Sequence, residues 1–310
     1  MTRVLVAMAI CCAPASVRLS AQAPRPVHDR VLQRELASAV RGFSGTVGVY
    51  ARQLRTGRWA GIDADTVFPT ASMIKVPILI ATFDAIRRGT LRYDTTLTFV
   101  DSLRYDTTGD LVAKLRDSAR VPLDQMILMM ITTSDNTAAL WLQGLAGTGT
   151  AINQWLADHG FVHTRVNSRT AGRHDDWLTY GWGQTTPREM TQLFTMIREH
   201  RAVSPAASEQ MYRALTRIYW NGDALSALPP WVQAAAKQGM VDGTRGETVL
   251  VNAPSGDYVF SIITKDQADS SWTRDNAGDV LIRRVSALLW KHFEPRHPYI
   301  PAPGADSLHP

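Results

Sequence analysis

Phe68-Pro69-Thr70-Ala71-Ser72-Met73-Ile74-Lys75-Val76-Pro77 opens an apolar run that continues to Ile86. The run is long enough for a buried helix. At helical spacing residues i and i+3 share a face, so Lys75 stands one turn from Ser72. A serine hydroxyl is a poor nucleophile at neutral pH and needs a base within hydrogen-bond reach. At the start of a helix it also meets free N–H groups and the positive end of the dipole, which favour an oxyanion. Taken alone, this S-x-x-K spacing is better read as a capping serine and a solvated lysine.

Further along, Ser134-Asp135-Asn136 interrupts one apolar run and precedes another, 62 residues after Ser72. All three types are favoured helix N-caps, yet a hydroxyl there can also serve a leaving group, and Asn136 can hold Lys75 and a substrate amide. Later still stands Lys237-Gln238-Gly239, just before a pair of strand-like stretches. A lysine on an edge strand commonly blocks aggregation. Followed by a residue without a side chain, it also suits an anionic ligand approaching the backbone.

The flanking segments supply the frame. Residues 31–40 read as a short amphipathic helix with Val31, Leu32, Leu36 and Val40 on one face. Residues 45–50 read as a strand that turns back near Gly57 into a second one. Helices are expected at 70–86, 123–130, 136–145, 152–159, 188–200 and 206–215, and strands at 247–252 and 258–264 about the turn cluster 253–257. A last helix is expected over 275–293 with Val280, Val285, Leu288 and Leu289 inward, followed from Pro295 by a Pro-rich tail expected to be mobile. Strands from both chain ends around a helical insertion predict an α/β (α+β) two-lobe fold. It pairs an antiparallel sheet flanked by helices with an all-α lobe, the active site lying at the junction.

The order S-x-x-K, S-D-N, K-x-G resembles the class A β-lactamases and the penicillin-binding-protein-like serine acyltransferases. Residues 68–77 and 130–138, Thr185-Thr186-Pro187-Arg188-Glu189-Met190 and the closing helix carry the likeness across 45–293. It implies a catalytic domain over 44–294, with an α/β lobe at 44–70 and 230–294 and an all-α lobe at 71–229. It further implies that Ser72 is acylated by a β-lactam or related acyl donor and that Lys75 is its base or proton relay. Ser134 would pass a proton to the leaving nitrogen with help from Lys237, while Asn136, Gln238 and Gly239 bind substrate. The backbone N–H groups of Ser72 and Met240 would form the oxyanion hole.

Two departures stand out. Gln238 replaces the small hydroxyl residue usual in the third motif. More seriously, the glutamate that deacylates class A enzymes falls on Thr170, which cannot take a proton from water, and the arginine and aspartate that brace its loop fall on Ser168 and Gly183. The nearest carboxylates in sequence, Asp175 and Asp176 beside His174, could supply a base only if the loop folds back over the cleft. As a metal site these three lack a full ligand set. Three functions follow: a β-lactamase-like hydrolase, a D,D-peptidase or esterase with the same acylation machinery, and a penicillin-binding sensor that acylates and stalls.

Composition bounds the setting. Arg3, an apolar run over 4–15 and small residues to Ala21 read as a signal peptide, with residues 22–43 as linker and first helix, which implies a secreted or periplasmic protein. Cys11 and Cys12 both lie in that leader, so cleavage after Ala21 leaves no thiol for disulfides, zinc or nucleophilic catalysis. The net charge of +5 comes from scattered arginines, without the basic, aromatic-interleaved stripe of a nucleic-acid binder. A small-molecule acyl donor, β-lactam or peptidoglycan-like, is the expected partner. No cofactor, metal or membrane span is expected, and the chain is expected to be a monomer.

Overall fold

The computed structural model describes residues 24–105 and 108–309; the leader and its two cysteines lie outside the described residues. The main sheet has six strands: β1 (Val27–His28), β2 (Thr46–Gln53), β3 (Arg58–Ile62), β9 (Ala234–Val241), β10 (Thr244–Val251) and β11 (Tyr258–Lys265). Their spatial order is β1-β3-β2-β11-β10-β9, antiparallel throughout except for β1 against β3. The central pairing joins the chain ends, Val49 opposite Ile262 and Ala51 opposite Phe260. Lys237 is on the edge strand β9, as its setting in the sequence suggested.

Period-two alternation divides β11 between two cores. Tyr258, Phe260 and Ile262 pack with α1 (Arg30–Val40) and α9 (Ala277–Phe293), whereas Val259 and Ile263 face the helical lobe. Every residue of β10 is buried because both faces of the sheet are covered. The inward face of α9 is Leu281, Ile282, Val285, Leu289, Trp290 and Phe293. Val280 and Leu288, expected inward, are half-buried, and Val31 is exposed. The difference is one of phase: with Asn276 as N-cap, the large Trp290 and Phe293 set which face of the helix turns inward.

The helical lobe surrounds α2 (Lys75–Arg87), whose residues from Lys75 to Ala85 are all buried. A helix apolar all round belongs inside a bundle. Around it lie α3 (Leu123–Thr132), α4 (Asn136–Leu145), α5 (Thr148–Asp158) and α8 (Pro205–Leu215), with α7 (Pro187–Arg198) between lobe and sheet. Helix α5 begins earlier than the sequence suggests because Gly147, at φ 99°, caps it in a left-handed conformation. A small sheet of β4 (Phe68–Pro69), β8 (Gly183–Thr185) and β7 (Arg165–Val166) stitches the nucleophile segment to a long loop that carries α6 (His174–Tyr180). Strands β5 (Thr96–Thr98) and β6 (Arg120–Pro122) pair antiparallel across the intervening segment 99–119. The Pro-rich tail is anchored, not free: Trp290 Nε1 donates to His297 O at 2.7 Å, and the His309 ring bonds Asn221 Oδ1 at 2.8 Å.

Candidate active site

Ser72 sits in a 3-10 turn, Ala71–Ile74, that runs directly into α2. Ala71 has φ 43°, an unfavourable left-handed conformation for a residue with a side chain. Ser134, at the turn into α4, has φ 64°. One strained residue just before Ser72 and another at Ser134 itself mark the place where the fold holds geometry at a cost in backbone energy. Pockets of about 610 and 620 Å3 meet at Ser72, Asn136 and Met240, so the cleft lies where the two lobes join.

Lys75 is fully buried, and its four contacts are all to neutral oxygens. Its Nζ lies 2.9 Å from Ser72 Oγ, 2.6 Å from Ser134 O, 3.1 Å from Ser134 Oγ and 2.7 Å from Asn136 Oδ1. Burial lowers its pKa to about 7, opposed by the negative charges of Asp110 and Asp135. Lys237 is also fully buried, with Nζ 3.1 Å from the same Ser134 Oγ and 2.9 Å from Gln238 Oε1. Burial and the neighbouring Lys75 charge push its pKa well down. Ser134 Oγ is thus shared between two buried amines, and the sequence-predicted set Ser72, Lys75, Ser134, Asn136, Lys237 and Gln238 comes together in one network.

The tight seat of β9 against the nucleophile explains Gly239. A Cβ built there would lie 2.4 Å from Thr70 O and 2.8 Å from both Ser72 N and Met73 N. Only a glycine lets the strand bring Met240 beside the Ser72 turn. On the opposite wall, Trp182 lies with its ring centroid 5.9 Å from Lys75 Nζ and packs edge-on against Tyr105 at 5.2 Å.

The long loop does not bring its candidates to Ser72. Thr170 Oγ1 donates to Ser168 O, and the side chain packs onto Gly149, where any Cβ would stand 1.7 Å from that oxygen. His174, Asp175 and Asp176 form the first turn of α6. There Asp176 pairs with Arg173 at 3.2 Å, and His174 stacks on Trp177 around a pocket of about 380 Å3 that meets the cleft at Tyr105 and Trp182. None of the four touches Ser72 or Lys75 in the network above. The loop is braced all the same, by residues the sequence reading passed over. Arg173 donates to Asn167 Oδ1 and Gln184 Oε1, Gln143 and Ser168 bond reciprocally, and Trp182 O accepts from Asn167 N and Ser168 N. A side chain at Gly183 would crowd the main chain, because a Cβ there would meet Arg165 O at 2.8 Å as well as the Ile74 side chain.

Asp110 is a second residue that sequence reasoning missed. It is buried at the cleft wall and accepts from Asn136 N, Thr137 N and Thr137 Oγ1, each at 2.8 Å. Arg245 is 1 % exposed and spends its guanidinium on Val241 O, Thr244 O, Ser271 O and Asp279. It holds the end of the sheet to the segment before α9.

Comparison with known proteins agrees with this site. Residues 31–293 match the β-lactamase enzyme family. The extended-spectrum β-lactamase PER-1 of Pseudomonas aeruginosa is 23% identical over 279 residues, covering 84% of this chain and 86% of its own. The β-lactamase regulatory protein BlaB of Streptomyces cacaoi is 35% identical over 113 residues, about a third of each chain (36% and 36%). Among solved structures, PBP-A superposes with a TM-score of 0.78 at 26% identity, over 88% of this chain and 99% of that one. With the sheet, the helical lobe and the serine–lysine cleft in place, this chain belongs to the β-lactamase enzyme family and is a class A-like hydrolase.

Proposed function

We propose that the protein hydrolyses β-lactams through an acyl-enzyme at Ser72. The observation that carries this is the 2.9 Å contact between Ser72 Oγ and a buried Lys75 amine whose pKa is brought to about 7. A nucleophile needs a base poised near the operating pH. Neutral Lys75 takes the Ser72 proton as Oγ attacks the lactam carbonyl carbon. The oxygen that gains charge is received by the Ser72 and Met240 N–H groups. As the C–N bond breaks, Ser134 Oγ protonates the departing nitrogen and is reprotonated by the Lys75 ammonium 3.1 Å away. Lys237 stabilises the Ser134 oxygen from the other side.

Water must then attack the ester and regenerate Ser72. With Thr170 turned toward Gly149, Lys75 is the group already in contact with Ser72 that can take the water's proton, and the Trp182 ring flanks it. Deacylation is therefore the slow step, by about 10²–10⁴-fold relative to an enzyme with a dedicated base. The leader-like N-terminus supports export, and the protein is proposed to act as a monomer in the periplasm or outside the cell.

Intact-protein mass spectrometry after mixing with a slight excess of a penicillin tests the reading. An adduct that rises quickly and decays as hydrolysed product accumulates is expected, and Ser72→Ala should form none. A permanent adduct without product would make the protein a penicillin-binding sensor instead. An adduct on Ser72→Ala would remove Ser72 from the mechanism.

A further inference from the structure

The Ser72–Lys75 pair is held from behind by a residue outside the three motifs. Asp110 lies in the segment between β5 and β6, is 4% exposed, and lines the cleft beside Ser134 and Asn136. Among the described residues its hydrogen bonds go to the first turn of α4: Oδ1 accepts from Asn136 N, and Oδ2 accepts from Thr137 N and Thr137 Oγ1. An ionised carboxylate is an acceptor only, and all three partners donate. It therefore occupies the positive end of a helix and satisfies N–H groups that the helix itself cannot. Asn136, held in this way by its main chain, turns its Oδ1 to Lys75 Nζ at 2.7 Å.

We infer that Asp110 is a positioning residue for the nucleophile. Through the start of α4 it orients Asn136 against Lys75 and places a carboxylate behind the Lys75 amine. The ionisable groups that face Lys75 are few. Asp110 is the first of the two carboxylates opposing the effect of burial; Asp135, the N-cap of α4, is the other. Burial raises the pKa of Asp135, against the backbone N–H groups of Val112 and Ala138 that hold its charged form. Lys237 approaches from β9 across Ser134 Oγ, with buried Glu247 of β10 behind it. Glu247 is pushed far toward its neutral acid by burial and by Asp223. Asp110 therefore supplies the main counter-charge to Lys75 from the α4 side.

The inference rests on acylation at Ser72 as proposed above. It is tested by the rate of adduct formation with a penicillin across pH 5–9, in wild type, Asp110→Asn and Asp110→Glu. In wild type the rate rises with pH as Lys75 loses its proton. Removing the nearby negative charge makes that proton easier to lose, so the rising limb of Asp110→Asn moves to lower pH, by about half to one unit. Its plateau also falls, because the Asn136 geometry loosens. Asp110→Glu keeps the charge and returns the limb to the wild-type position. Should Asp110→Asn not fold, Asp110→Ser can still accept hydrogen bonds from the α4 start and must show the same displacement. A folded, neutral variant with a lower rate but an unmoved limb overturns the inference and leaves Asp110 a helix cap. Wild type forming no adduct at any pH would instead overturn the reading of Ser72, so the two failures are distinct.

Discussion

Lys75 is the residue on which the chemistry turns, and its environment gives a signed pH dependence. Burial disfavours the ammonium, so the amine is half neutral near pH 7 and not near the ordinary lysine value of 10.5. The base form increases as pH rises. The acylation rate of wild type should climb about tenfold per unit below pH 7 and level above it, read from single-turnover adduct formation. A flat profile between pH 5 and 9 would mean that Lys75 does not take the proton. At this scale the sequence was informative about Ser72, Lys75, Ser134, Asn136 and Lys237, because each belongs to a short motif whose spacing already fixes a face or a cap. It was silent about Asp110, which owes its importance to contacts made across the fold and which no periodicity or local motif marks.

Between residues and molecule, the decisive element is β9. Its last turns of pleat lie so close to the nucleophile turn that Gly239 cannot carry a side chain without meeting the main chain at Thr70, Ser72 and Met73. Main chain yields far less than the end of a flexible side chain. Gly239→Ala should displace Met240 from the Ser72 turn and lower the acylation rate by about 10²–10³, the usual loss of one oxyanion donor, with the far-UV spectrum unchanged. Wild-type acylation in that variant would mean that Met240 N–H takes no part. The long loop shows the opposite limit of sequence reading. Counting from the flanking motifs put Thr170 at the position where class A enzymes carry a glutamate, and the structure seats that threonine on Gly149. The replacement brace of Arg173, Asn167, Gln184 and Gln143 is built of ordinary polar residues from three separate segments. Nothing in their order along the chain announces that they meet.

For the molecule as a whole, the two lobes were legible because apolar periodicity changes from two to about three and a half along the chain and back again. The phase of α9 and the anchoring of the tail were less so, since both depend on which bulky side chain finds a gap first. Phe260 is fully buried at the centre of the sheet's outer core, beside Tyr258. Phe260→Ala should cost about 3–5 kcal/mol of unfolding free energy by chemical denaturation. A loss under 1 kcal/mol would show that this core is loosely packed.

The pairing of β2 with β11 has a consequence in time. Residues more than two hundred positions apart must find one another before the sheet closes, and contacts of such long range make folding slow. Ser72 and Ser134 are synthesised well before Lys237 and Gly239, and the strand that bears the latter is held in the sheet only by β10, which β11 in turn secures. A growing chain therefore carries its nucleophile long before it carries a usable site. Until the last strand docks, Ser72 stands without Lys237 and the Met240 N–H and is not yet open to the acylation proposed for it.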